Sequence, residues 1–432
     1  MNPSVNIYTK WGVLSLLLLL SSSGALLGQT VQGMDNERLY KIDGLIENHI
    51  KEQHIPGAVA LIIRDGKTVF NKAFGHADLA KGIPMKTDHI FRIASQSKAI
   101  TSLAVMMLWE EGKFLLDDPV SRYIPAFKET GVLATFNPAD SSFTTVPAQR
   151  QITIRDLLRH TSGIAYPAIF SDSTMWAIYQ KNHIPSGIGT MNGTLADKMP
   201  SLAKMPLQHQ PGEAFTYGLN TDLLGYLVEL WSGRPFDVFL RERIFDPLDM
   251  EDTFFHVPTE KHHRVVTLYE SNGDRLKKVD HPIYEGVDPD FPIKEGTYLS
   301  GGAGLSTTVS DYANFLSMFL NKGTYKNKRI LGSKTVELML TNQLTLDMAI
   351  SPYPAQPDDF QFGLGFALET EKNDYLSPFS IGTFSWGGAF NTHYWADPKE
   401  KLIGLLFTQE YLSPYWRIGD EFEVLVYQGI ME

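Results

Sequence analysis

The sequence predicts an α/β fold in which one sheet, assembled from both ends of the chain, carries an inserted helical region. Three observations predict it. Strand-like runs occur near both ends, at residues 57–75 and again from about Phe360 to Gln409. Helical patterns dominate between them, from Ser95 to about Gly323. At 432 residues the chain is too long for one small core, so two packed regions are expected. The sheet region is placed at residues 36–90 and 295–430, and the mostly helical region at 91–294.

The elements follow in order. Residues 1–28 read as a Sec-type signal peptide: one lysine in MNPSVNIYTK, the apolar run WGVLSLLLLL, then the small residues of SSSGALLGQ. Cleavage is expected between Ala25 and Gln29, giving a soluble, exported protein, periplasmic or secreted. An uncleaved anchor is the alternative, because an apolar run of about 17 residues sits at the lower limit for a span. No later segment is apolar for long enough to cross a membrane, so no stable insertion is expected after cleavage. Leu39, Ile42, Leu45, Ile46 and His49 fall near a helical spacing and predict a first helix over about 36–54. GAVALIIRDGKTVFNKAFG reads as a hairpin turning at Asp65-Gly66. SQSKAITSLAVMMLWEEG, ITIRDLLRH, NTDLLGYLVELWSG, PFDVFLRERIF and TVSDYANFLSMFLNKG read as helices, several ending at glycine. Residues 256–300 are polar and proline-rich and are expected to be long surface loops. FQFGLGFALE and FSWGGAFNTHYWADPKEKLIGLLFTQ read as strands, with a turn at Asp397-Pro398-Lys399-Glu400. GDEFEVLVYQGIME suggests a closing helix.

Composition excludes several function classes. The formal net charge is −11, which argues against a nucleic-acid partner. There is no cysteine, so disulfides, thiolate nucleophiles, Cys-ligated zinc and a lipid-bearing cysteine are excluded. No Gly-x-Ser-x-Gly elbow, Walker loop, dinucleotide fingerprint or zincin spacing occurs. No cofactor and no metal ligand set is assigned, and no oligomeric state is read from the sequence.

One helix carries a chemical signal. Lys98 lies in a stretch that is otherwise apolar nearly all round, three residues after Ser95. Ser201/Lys204 has the same spacing, but its segment breaks at Pro206, whereas ASQSKAITSLAVMML continues as a helix. Residues three apart on a helix share a face. Ser95 would sit at the helix N-terminus, where free amides favour developing negative charge. A buried lysine loses affinity for its proton and can serve as base to the hydroxyl. The competing reading is a capping serine and a lysine that snorkels to solvent or pairs with a carboxylate.

Other segments extend the pattern in chain order. Ser95-Gln96-Ser97-Lys98, with IFRIA before it and AIT after it, resembles the nucleophile motif of class C β-lactamases and their penicillin-binding-protein relatives. GAVALIIRDGK, AFGHAD, EEGKFLLDDPVSRYIPAF, ITIRDLLRHTSGI, PGEAFTYGLNTDLLGYLVELWSGRPF, GLSTTVSDYANF and FSWGGAF match further segments of that family over about residues 36–430. The resemblance implies a DD-peptidase/β-lactamase-like fold: an antiparallel sheet flanked by helices, with an inserted helical domain and the site between them. It implies that Ser95 is acylated and that Lys98 and Tyr217 share the proton transfers. A nearby ammonium would lower the Tyr217 pKa. It implies too that Trp386, Gly387 and Gly388 line the pocket, and that the Ala389 amide joins that of Ser95 as an oxyanion hole. An ordinary half-buried tyrosine and a simple glycine bulge are the competing readings of Tyr217 and of the glycines.

Two departures bear on substrate. Where the β-lactamase pattern reads Tyr-x-Asn, Leu219 stands here, and Asn220 is expected to be the N-cap of the next helix. Trp386 stands in place of the lysine of Lys-Thr-Gly, which removes a cation and adds a flat apolar wall. The set then resembles the family VIII carboxylesterases and implies a small neutral ester as substrate. The alternatives are a β-lactamase or D-Ala-D-Ala peptidase acting on amides, and a non-catalytic binding protein of the same fold. His160 is expected to be structural. His393, Tyr394 and Trp395 either shape the pocket or pack the core.

Overall fold

The computed structural model describes residues 30–167, 172–284, 286–345, 348–350 and 359–431. The signal peptide expected at residues 1–28 lies outside the described residues.

One seven-stranded antiparallel sheet organises the chain. Its strands are β1 (Gly57–Arg64), β2 (Lys67–Asp78), β3 (Ile83–Pro84), β4 (Ala367–Leu368), β5 (Phe384–Gly388), β6 (Thr392–Asp397) and β7 (Leu402–Phe407). They lie in the order β4-β5-β6-β7-β1-β2-β3. The two ends of the chain meet at the centre, where β7 pairs with β1 from Leu402↔Arg64 to Phe407↔Val59. Asp65 (φ 48°) and Gly66 (φ 72°) both adopt the left-handed conformation that a two-residue hairpin of this twist demands. At the other predicted turn the Asp397 carboxylate accepts from the amides of Lys399 and Glu400 at 2.9 and 3.0 Å.

The sheet is covered on both faces, which is why GAVALII is apolar without alternation. Ala58, Ala60 and Ile62 point to one face, and Val59 and Leu61 to the other. On the first face lie α1 (Lys41–Lys51) and α5 (Ile418–Tyr427), with Ile42, Ile46, Trp395, Phe422 and Val426 buried together. The second face carries the main core, which includes α2 (Ser97–Glu110), α3 (Asn220–Ser232) and α4 (Val309–Leu320). Helix α2 packs against α3, and α4 against β7.

The structure differs from the sequence expectation in four places. Residues 256–300 are not simply surface loops: Tyr269–Asn272 pairs with Arg275–Lys278 and, in parallel, with Glu410–Tyr411. Val266, Leu268, Ile283, Phe291 and Tyr298 are buried there. These apolar residues enter the core singly, so no helix or strand period marks them. The mostly helical region also contains a hairpin, Gly131–Asn137 with Ser142–Pro147, whose strand residues are largely exposed. FQFGLGFALE forms only the two paired residues of β4. The first helix is two, Asn36–Leu39 and α1.

Candidate active site

Ser95 lies in a single 3-10 turn, Ala94–Gln96, that leads directly into α2, one turn earlier than a regular helix start. The turn is held in an unusual shape: Ala94 has φ 40°, a region that alanine enters at a cost. Ser95 is the second residue of this turn, so its amide has no partner within it. Ser95, Lys98 and Tyr217 are all buried.

Lys98 does not reach solvent. Its Nζ donates to Ser95 Oγ at 3.3 Å, to Tyr166 Oη at 2.9 Å and to the Gly302 carbonyl at 2.8 Å. Burial pulls its pKa from 10.5 down to about 7, against the opposing pull of the Asp222 charge. A neutral amine keeps two N–H groups and gains a lone pair. Gly302 and Tyr166 can take the two N–H groups, which leaves the lone pair for the Ser95 proton.

Tyr217 sits before α3. Its hydroxyl accepts from Trp386 Nε1 at 3.1 Å and exchanges a hydrogen bond with Ser95. Lys98 Nζ lies 4.5 Å from its ring centre. The expectation that this ammonium lowers the Tyr217 pKa is overturned. Burial raises it well above the ordinary phenol value, and the bonds from Ser95 and Trp386 only offset part of the rise. Tyr217 is therefore a phenol at neutral pH. Gly218 follows because a Cβ there would lie 1.9 Å from the Ile164 carbonyl oxygen.

Asn220 is not the N-cap; Leu219 is, with no side-chain cap. Asn220 is fully buried, donates to His160 Nδ1 at 3.0 Å and accepts from Ser162 Oγ. It thereby ties RHTSG to the Tyr217 turn. The His160 ring lies tilted against Tyr217, ring centres 4.9 Å apart, and burial holds it well below its ordinary pKa.

Strand β5 brings Trp386 to half-buried contact with Tyr217 and Phe362. Gly388 is forced, since a Cβ would lie 2.2 Å from the Ile93 carbonyl oxygen, directly before the Ser95 turn. Ser95, Tyr217, Trp386, Gly387 and Ala389 border one cavity of about 560 Å³. His393 and Tyr394 border it as well, while Trp395 packs into the core against Phe422.

Sequence reasoning noted Asp222 only as part of the esterase-like Tyr217-Gly218-Leu219 spacing and missed what it does. Asp222, fully buried on α3, accepts from Ser300 Oγ at 2.6 Å and from the Gly302 amide at 3.0 Å. The same Gly302 residue offers its carbonyl to Lys98, so Asp222 fixes the peptide that holds the amine. Tyr166 was missed too. The available signal was an aspartate inside the apolar run NTDLLGYLVELW, a residue type rarely buried without a task.

The Beta-lactamase family model matches residues 42–428. The chain belongs to the beta-lactamase family. Among relatives, Protein Rv1367c of Mycobacterium tuberculosis is 35% identical over 363 residues, covering 82% of this chain and 86% of that one. Esterase EstB of Burkholderia gladioli is 28% identical over 378 residues, covering 85% and 89%. Among solved structures, EstCE1, described as a hydrolase with promiscuous acyltransferase activity, superposes with a TM-score of 0.77 at 27% identity, covering 90% of this chain and 99% of that one. Simvastatin synthase (LovD) of Aspergillus terreus gives 0.75 at 25% identity, covering 90% and 98%. The protein is thus a serine hydrolase of the beta-lactamase fold, with esterase and acyltransferase neighbours.

Proposed function

We propose that this beta-lactamase-family protein is an exported serine esterase that works through an acyl-enzyme on Ser95. The observation that carries the reading is the buried Lys98 amine, 3.3 Å from Ser95 Oγ and near-neutral in pKa. Lys98 takes the Ser95 proton as Oγ bonds to the ester carbonyl carbon. The oxyanion is held by the amides of Ser95 and Ala389. Collapse breaks the bond to the alcohol oxygen, which takes its proton from Tyr217 Oη, and the Lys98 ammonium restores that proton. Water then enters by the reverse sequence and releases the acid. Because Tyr217 rests as a phenol, it is the donor, and Lys98 is the resting base.

Trp386 supports ester over β-lactam. It places a neutral N–H donor, rather than a lysine ammonium, against Tyr217 Oη. Leu219, where an amide would hold a peptide-like side chain, is buried. The promiscuous acyltransferase activity described for EstCE1 supports a second reading, in which an alcohol replaces water and the acyl group is transferred.

Purified protein assayed with a p-nitrophenyl short-chain ester, a chromogenic cephalosporin and a D-Ala-D-Ala peptide tests the reading. Ester turnover that disappears in Ser95→Ala is expected; ester turnover surviving that change, or fast cephalosporin turnover without ester turnover, overturns it. Export rests on the N-terminal sequence alone and is tested by N-terminal sequencing of the extracytoplasmic fraction, where a start between residues 26 and 29 is expected.

A further inference from the structure

The cavity beside Ser95 does not end at apolar walls. Strand β5 pairs with β4 through Phe384 and Ser385, and its Trp386–Gly388 stretch runs on past β4 beside the Ser95 turn. The cavity borders this stretch and is bounded elsewhere by Asp420 and Glu423 of α5. Between them stands Trp416, close over Gly387 and against His393, ring centres 4.4 Å apart. Burial pushes His393 down to about 3, so it brings no charge. Among the described residues that border the cavity, none is a lysine or arginine.

Asp420 is exposed at the rim of the cavity, and Glu423 lies deeper. Glu421, their neighbour on α5, bonds His49 at 2.9 Å, whereas Glu423 is half-buried with no cation among the charges that act on it. Behind Glu423 lies Glu369, buried, with Oε1 lacking any hydrogen-bond partner. Burial, Asp420 and Glu369 together push Glu423 up to about 8, and burial pushes Glu369 up to about 7. Arg417 acts on Asp420 but does not border the cavity. An exposed and a half-buried carboxylate beside two indoles that border one cavity favour a large, weakly hydrated cation, which both the rings and the charges attract.

We propose, building on the esterase reading, that Asp420, Glu423 and Trp416 form a subsite for a quaternary or tertiary ammonium group carried by the ester substrate. A cation seated there lets Glu423 ionise, so the preference grows as pH rises from about 6.5 to 8.5. The groups facing Glu423 are Asp420 and Tyr427 on α5 and Glu369 beyond β4, with Asp374 behind Glu369 and Arg417 beside Asp420.

Matched esters test it without assuming which half of the substrate enters. Acetylcholine is compared with 3,3-dimethylbutyl acetate, and the p-nitrophenyl ester of 4-(trimethylammonio)butanoate with that of 5,5-dimethylhexanoate. In the wild type the cationic member of at least one pair is expected to be preferred about 10-fold in kcat/KM. The preference is expected to fall toward unity in Glu423→Gln and Asp420→Asn, and to persist in Glu421→Gln on the His49 side of the same helix. Taking the ratio cancels the titration of Lys98, which both esters share. Turnover of the neutral esters with a wild-type ratio near one in both pairs overturns the ammonium subsite and leaves the esterase standing. A ratio unmoved in Glu423→Gln and Asp420→Asn also overturns it. Turnover of neither member of either pair overturns the esterase reading itself, and this one with it.

Discussion

At the residue scale, the central fact is an amine kept from water. Lys98 holds a proton only weakly because its surroundings, not a second cation, penalise the charge. Activity that needs the free amine must therefore rise with pH through about 7. The kcat/KM profile for a neutral ester is expected to show its ascending limb there; a limb near the ordinary lysine value would mean the amine is solvated. Lys98→Met should lower kcat by about 10²–10⁴-fold with a smaller effect on KM, measured by steady-state kinetics. Trp386→Phe keeps the flat wall but removes the N–H that Tyr217 accepts. A loss of about 10-fold in kcat is expected from leaving that oxygen short of a donor. The sequence made Ser95 and Lys98 visible because a charge inside an apolar helix is conspicuous. Tyr166 was invisible, and Asp222 was left without a role, for the opposite reason. A buried tyrosine in a loop and an acid near a helix start look ordinary until the chain brings them to one amine.

At the element scale, the site depends on close approaches that only glycine permits. The edge of β5 runs so near the Ser95 turn that Gly388 has no room for a Cβ beside Ile93. The Tyr217 turn is pressed equally hard against Ile164 at Gly218. Gly218→Ala is expected to cost about 3 kcal/mol of stability, read as a lowered thermal midpoint and a lost site together. Gly388→Ala should instead act first on kcat, because it pushes β5, with the Ala389 amide proposed for the oxyanion hole, away from Ser95. Elements with one strong local cause were legible: the Asp65-Gly66 hairpin from its turn residues, α2 and α4 from length and apolar content. The Tyr269–Lys278 hairpin was not, because its strands are short and polar and gain their place by pairing with Glu410 and Tyr411. The role of Asn220 was misread for a related reason. Asparagine before an apolar run satisfies the local rule for a cap, but the His160 ring offered it a tertiary partner.

At the scale of the whole molecule, the sheet joins what the chain order separates. Its central pair links Val59 to Phe407, and every strand on the β7 side comes from the last fifth of the sequence. A chain stopped before Leu402 should therefore retain no native sheet, although it keeps most of the helices. Circular dichroism and amide exchange of that fragment are expected to show no protected core. The division into a terminal sheet and an inserted region followed from where strand patterns and helix patterns lie. The proposed ammonium subsite could not have been foreseen in that way: Trp416, Asp420 and Glu423 are close in sequence, but only the fold sets them against the cavity beside Ser95.

The same closure has a meaning in time. A growing chain has no partner for the inner edge of β1 until about 350 further residues have been made, which at ordinary synthesis speeds is on the order of 20–70 s. Contacts so distant in sequence also form slowly once both partners exist. Throughout that interval the backbone edge of β1 lacks β7 and the face of Ala58, Ala60 and Ile62 lacks α5, so the native sheet closes only when synthesis is nearly complete.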